Sequence, residues 1–198
     1  MVADNKRDQI IGSAHRLVVS RGVDGMRLRD IADEAKVSIG TIQYYFGSRD
    51  DVVREMLTRA SENRVQDWTK KVGGIESGLD RLRILLEGSV SSVERCVIWV
   101  ETCAASTRHS FLRKHIQEVN DAWRSWLIES LERAVEQGEL NLDRPPEHFA
   151  NLFVAVVDGY MLAVASKDQK ITLKQAKEAI VDVAERALGT VLSAKHKK

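Results

Sequence analysis

Apolar residues recur at intervals of three and four along nearly the whole chain. This is the period of an amphipathic helix, not the alternation of a half-buried strand. The pattern predicts a first helix over about 5–20, with Ile10, Ile11, Ala14, Leu17 and Val18 as its inner stripe. Gly22 and Gly25 bracket a turn, and a second helix follows with Leu28, Ile31, Ala32 and Ala35 inward. Lys36 and Val37 make the next turn, Ser38 caps a third helix, and Gly47 ends it. Ser48 with Asp51 reads as a capping box for a fourth helix, lined by Val53, Met56, Leu57 and Ala60.

A soft stretch, KVGGIESG at 71–78, reads as a joint between modules. Beyond it the pattern gives a helix over about 79–92 and a nearly all-round apolar helix around CVIWVETCAA. A long amphipathic helix then carries Leu112, Ile116, Val119, Trp123, Trp126, Leu127 and Leu131, and Gly138 closes it. Pro145 and Pro146 suit the first turn of the next helix, which holds FANLFVAVVDGYMLAV. Thr172 with Gln175 caps a last helix whose stripe is Ala176, Ala179, Ile180, Val183, Ala187, Leu188 and Val191. The tail AKHKK is expected to fray. The expectation is an all-α fold of about nine helices, with no internal repeat.

Composition changes this picture little. A chain of 198 residues, 43% hydrophobic and 30% charged, is ordinary for a globular protein. No apolar run stands out at the roughly 18 residues a membrane span needs, and the charged start MVADNKRDQ lacks a secretory core, so a cytoplasmic location is expected. A net charge of +1 argues against a non-specific coater of nucleic acid, yet leaves room for a local basic surface. The two cysteines, Cys96 and Cys103, share a helix face about 10 Å apart, too far to bridge. The five histidines show no metal-ligand spacing, no cofactor is expected, and no phosphate loop, GxSxG or HExxH occurs.

The chemistry concentrates in LRDIADEAKVSIGTIQYYF, residues 28–46. Two short helices meet at a tight turn, and the second presents polar and aromatic side chains. This is the layout of a helix-turn-helix, whose second helix reads the major groove of DNA. The stretch IADEAKVSIGTIQYYFGSRDDV resembles the DNA-binding segment of the tetracycline-repressor (TetR) family of bacterial transcriptional regulators. The shared pattern is an Ile-Ala pair, Ala-x-Val-Ser, Gly-Thr, an aromatic pair, Phe, then a basic residue opening the next helix. The segments EQGEL and VVDGY resemble the ligand domain of the choline-responsive (BetI-like) branch.

The resemblance implies an N-terminal DNA-binding domain over 1–47 and a ligand-binding and dimerisation domain over 48–198. It implies DNA contacts from Arg27, Arg29, Ser38, Ile39, Gly40, Thr41, Gln43, Tyr44, Tyr45 and Arg49. Gln43 suits a bidentate contact with adenine, and Ile39 a thymine methyl. Serine, threonine and tyrosine hydroxyls suit phosphates, and Arg49 stands where relatives place a lysine against the backbone. Three positions depart from the common pattern. Arg27 replaces a capping Ser or Thr, Lys36 replaces the turn glycine, and Gln43 replaces a tyrosine. Lys36 then carries a left-handed backbone at a cost of about 1 kcal/mol.

Candidate ligand-binding residues are Trp68, Trp99, Glu101, Cys103, Trp123, Trp126, Phe153 and Asp158. Each has a plainer alternative. Glu101, in an apolar helix, needs a partner: a cationic ligand or an arginine. The tryptophans line a cavity, even an aromatic cage for a quaternary amine, or they pack as core. Asp158 beside Gly159 serves a ligand or close packing between copies, and Cys103 is a core or pocket thiol. The expected protein is a ligand-responsive repressor that binds a palindromic operator as a homodimer and is released by a small-molecule effector. Its recognition helices would lie about 34–36 Å apart or a multiple of that. The alternatives are a small-molecule-binding helical protein with a vestigial DNA head, and a ligand-independent architectural dimer.

Overall fold

The computed structural model describes residues 2–168 and 170–192, with side chains from residue 5 onward. The tail AKHKK lies outside them. Among the described residues there are nine helices and no strand. They are α1 (Val2–Arg21), α2 (Leu28–Glu34), α3 (Ile39–Phe46), α4 (Arg49–Val72), α5 (Gly78–Ser89), α6 (Val93–Ser106), α7 (Ser110–Glu136), α8 (Pro146–Ala165) and α9 (Leu173–Leu188).

The helix ends follow local chemistry. Gly22 closes α1 at φ +74°, donating to the Val18 carbonyl at 2.9 Å. Thr172 and Gln175 form the reciprocal box expected at the start of α9. At α4 the box is incomplete. The Asp51 N–H donates to the Ser48 hydroxyl, but that hydroxyl, not the Ser48 N–H, donates to the Asp51 carboxylate at 2.6 Å. Helix α5 stops three residues short of its expected end, because Ser92 caps α6. The Ser92 carbonyl accepts from the Cys96 N–H and its hydroxyl from the Arg95 N–H.

The chain forms two compact units. One comprises Met1–Arg64 and Ile98–Ile116, the other Val65–Val97 and Gln117–Lys198. The first unit has its own core. Ile10, Ala14, Leu17 and Val18 of α1 meet Ile31, Ala32 and Ala35, Ile42 of α3, and Val52, Val53, Met56 and Leu57 of α4. Fully burying an aliphatic side chain stabilises by about 1.5–3 kcal/mol, so this cluster holds the short helices α2 and α3, which are too short to persist alone. In the second unit α9 packs on both α5 and α8. The stripe expected on α9 divides: Ala176 and Ile180 are buried with Ala184 and Leu188, whereas Ala179, Val183 and Ala187 are half-buried and Val191 is exposed.

Against the expectation of no span-length apolar run, helix α8 is long and apolar enough, by length and composition, to cross a membrane. Phe149, Ala150, Phe153, Val154, Val157, Met161 and Val164 put one face of it in the core. The opposite side exposes Leu152, Ala155, Gly159 and Leu162, spaced so that they share one stripe. A Cβ added at Gly159 would meet nothing within 4 Å.

At the start of α5 the backbones are in close contact. A Cβ on Gly78 would collide with the backbone of Ser130 and Ala134 on α7. The Gln137 and Glu139 side chains accept from the Gly78 and Leu79 N–H groups, and the Arg133 and Gln137 side chains donate to the Glu76 carbonyl.

Candidate nucleic-acid interface

The site is built from α2, the turn after it, and α3. Arg27 is the N-cap of α2, with extended backbone; its N–H donates to the Asp30 carboxylate at 2.8 Å. Asp30 at the third helical position thus supplies the return half of a capping box, satisfying the N-cap N–H, and its pKa lies below the ordinary carboxylate range, first because of this backbone hydrogen bond. The turn passes through Lys36 at φ +51°, the left-handed conformation expected there. The Ser38 hydroxyl accepts from the Thr41 N–H at 3.0 Å and lies 2.8 Å from the Thr41 hydroxyl. Both hydroxyls therefore already have partners.

Helix α3 sorts its residues by side. Ile42 is buried and Tyr45 and Phe46 pack on the core. Ser38, Ile39, Gly40, Gln43 and Tyr44 are exposed, Tyr44 by 84%, as are Arg27 and Arg29 at the start of α2. The two adjacent tyrosines thus part company: Tyr44 points outward, and Tyr45 meets it edge-on at 5.2 Å while packing inward. The exposed surface offers two guanidinium groups from the start of α2 and, from α3, which has no acidic side chain, an amide, a phenol and a branched alkyl group.

Arg49 stands apart from this surface. Its Nε donates to the Met26 carbonyl at 3.0 Å, its Nη2 to the Val23 carbonyl and its Nη1 to the Asp50 carboxylate at 2.7 Å. The residue expected against the DNA backbone ties the start of α4 to the turn before α2. That same turn meets three further residues of the first unit. The Glu101 carboxylate lies so close to Gly22 that a Cβ there would collide with it. Asp24 accepts from Arg108 and sits 2.8 Å from His109 Nε2. The His109 hydrogen bond, then that of Arg108, holds the Asp24 carboxyl below its ordinary pKa. No sequence signal links residues 84 and 85 apart, so these contacts were not legible.

The candidate ligand residues fall in both units. Trp99 and Cys103, half-buried, belong with Glu101 to the first. Trp68, Trp123, Trp126, Phe153 and Asp158 belong to the second. There Trp68 and Trp123 stack at 4.4 Å, Trp126 lies 6.5 Å from Trp68, and the Arg95 guanidinium sits 5.7 Å from the Trp68 ring. Phe153 is buried beside Phe149. Among the described residues no three His, Cys, Asp or Glu side chains gather as a metal would need.

Two family models match the chain. Residues 10–56 match the bacterial regulatory proteins of the tetR family, and residues 79–189 match the C-terminal domain of BetI-type transcriptional repressors. The chain belongs to the tetR family. It is similar to the transcriptional regulator BetI 1 of Chromohalobacter salexigens, 26% identical over 192 residues that span 92% of this chain and 90% of the relative. Its fold is similar to that of a transcriptional regulator from Saccharomonospora viridis solved in complex with choline, with a TM-score of 0.85 and 23% identity over 92% of this chain and 96% of that one. The Bacillus subtilis regulator FadR, solved with stearoyl-CoA, shares the fold at a TM-score of 0.78 and 18% identity, over 90% and 97% of the two chains. As a tetR-family member the protein is a DNA-binding regulator of transcription with an N-terminal helix-turn-helix and a C-terminal helical domain.

Proposed function

We propose that the protein is a cytoplasmic, non-enzymatic repressor that binds a palindromic operator as a homodimer and leaves it when a small molecule binds. The observation that carries this reading is the bare face of α3, where Ile39, Gln43 and Tyr44 stand outward above a buried Ile42. Such a helix enters the major groove, where Gln43 pairs with adenine and Ile39 meets a thymine methyl. Arg27, Arg29, Ser38, Gly40 and Tyr44 face phosphate or base edges, while Thr41, Tyr45 and Arg49 support them from within.

The apolar stripe on the outside of α8, continued by the half-buried flank of α9, supports pairing with a second copy as a four-helix bundle. Two-fold pairing presents two recognition helices, hence the palindrome. Residues 1–47 read DNA and residues 48–198 bind effector and partner. The effector changes operator affinity through differential binding to two arrangements of the heads, a reciprocal coupling of about 1–3 kcal/mol. The turn at Gly22–Asp24, held by Arg108 and His109 and closely approached by Glu101, supplies one such link, because those three residues lie beyond the first 47. The match to BetI-type repressors makes an organic cation of the choline class the first effector to test, and an acyl thioester the second.

One experiment tests the reading. Bound sequences are selected from random duplex DNA, and release is measured against a metabolite panel containing choline, betaine and acyl-CoA. A palindromic consensus and one releasing compound are expected. Ligand binding without any selected sequence would instead indicate a vestigial head. A consensus that no metabolite disturbs would indicate an architectural dimer.

A further inference from the structure

The recognition helix is eight residues long and fully buries only Ile42. So short a helix has little cooperativity of its own, and the last carbonyls of any helix lack intrahelical donors. Besides the core packing of Tyr45 and Phe46, its C-terminal turn meets a side chain from the first helix. Arg7 on α1 donates from Nη1 to the Tyr45 carbonyl at 3.4 Å, and its guanidinium carbon lies 4.9 Å from the centre of the Phe46 ring. A cation at the negative end of a helix is favourable.

The same guanidinium faces α4. Its Nε donates to Glu55 Oε1 at 2.7 Å and its Nη2 to Glu55 Oε2, a two-pronged pairing that fixes direction as well as distance. Glu55 is held in turn by Arg59 at 2.7 Å, and Arg59 reaches back to Asp8 on α1 at 2.5 Å. The Arg7 hydrogen bond is the leading cause of a Glu55 pKa below the ordinary carboxylate value, which keeps the acceptor ionised. A run of four charged side chains on α1 and α4, joined by three ion pairs, therefore ends on the last turn of α3.

Resting on the reading of α3 as the DNA-reading helix, we propose that Arg7 is a specificity-determining positioning residue: it joins Tyr45 and Phe46 to Glu55, and so sets the pose of the recognition helix without touching DNA itself. A lysine in its place supplies a point charge but not a planar fork, so it cannot serve helix and carboxylate together.

The test uses the full chain with Arg7→Ala, Arg7→Lys and Glu55→Gln. Hydrogen exchange is read without DNA over residues 39–47, with α8 as internal control. Affinities for a selected operator and a random duplex are then compared across salt, well below each variant's melting temperature. Expected for Arg7→Ala are exchange several-fold faster in α3 with α8 unchanged, and an operator-to-random affinity ratio lower by about tenfold. The slope of log affinity against log salt should hold, because no phosphate contact is lost. Arg7→Lys and Glu55→Gln should move both readouts in the same direction. Unchanged exchange in α3 overturns the proposal. So does a parallel loss on both duplexes with the salt slope reduced by about one, which marks Arg7 as a phosphate contact. A lower melting temperature with an unchanged ratio overturns it too, leaving Arg7 a stabilising residue only. If the unsubstituted protein selects no duplex, the reading of α3 fails, while the exchange measurement still decides whether Arg7 holds the helix.

Discussion

Arg49 Nε donates to the Met26 carbonyl at 3.0 Å, joining the first residue of α4 to the residue before the N-cap of α2. With its other two nitrogens on Val23 and Asp50, the guanidinium fastens the loop that aims α2 and α3. Hydrogen bonds from a charged group are worth about 1.5–3 kcal/mol, and this side chain is 18% exposed. Arg49→Ala should therefore lower stability by about 1–3 kcal/mol in a denaturant titration, and Arg49→Lys should not restore it. Unchanged stability with a shallower salt dependence of DNA binding would return Arg49 to the phosphate-contact role its position suggested.

Gln43 is exposed and offers one donor and one acceptor to a base edge. Gln43→Ala should lose about 1–3 kcal/mol of discrimination at one base pair per half-site and leave the other positions alone. Selection from random DNA with the variant reads this directly, as relaxed preference at a single symmetric pair of positions.

Lys36 holds φ +51°, a conformation a side-chain-bearing residue adopts at a cost of about 1–2 kcal/mol, partly offset by the entropy glycine loses on folding. Lys36→Gly should raise stability by up to about 1 kcal/mol. A drop in the thermal midpoint would show that the lysine side chain contributes something its exposure conceals.

The position of Gly159 separates folding from pairing. It lies in mid-helix with open space around its missing Cβ, so Gly159→Glu should gain about 0.5–1 kcal/mol of helix propensity within one subunit. If α8 pairs with its copy as proposed, the same substitution on its outer stripe puts a charge between copies. Sedimentation should show a folded subunit that no longer dimerises. A variant that dimerises as before would remove α8 from the interface.

Asp24 holds its proton less tightly folded than unfolded, through His109 first and Arg108 second. Its contribution is present above the ordinary carboxylate pKa of about 3.9 and is lost as pH falls through that value and below. Asp24→Asn should reduce stability near neutrality and flatten its fall between about pH 5 and 3. A variant with the same acid limb as the natural chain would show that the pair contributes nothing to folding.

Helix order and the polarity of α3 could be read from the sequence because they rest on local rules: the three-four period, Ser38 before Ile39, Gly47 after Phe46, Pro146 at the first turn of α8. The left-handed turn at Lys36 was also legible, since the resemblance put a glycine there. What escaped depends on contacts between residues far apart in the chain. Nothing near Glu101 says that it faces Gly22, nothing near Arg7 says that its carboxylate is 48 residues away, and nothing near Arg49 says that it reaches the carbonyls of Met26 and Val23. The paired tyrosines show the same limit. Which of Tyr44 and Tyr45 turns inward depends on the axial rotation of α3 against α4, a tertiary quantity.

Gly78 has a mechanical corollary. Its bare α-carbon lets the first turn of α5 rest on the α7 backbone with no side chain between them, and Arg133, Gln137 and Glu139 clasp residues 76–79 at the same joint. Interlocked surfaces of this kind do not slide by small increments. Whatever strain an incoming molecule imposes there, the first turn of α5 and the last turns of α7 must shift together at that joint.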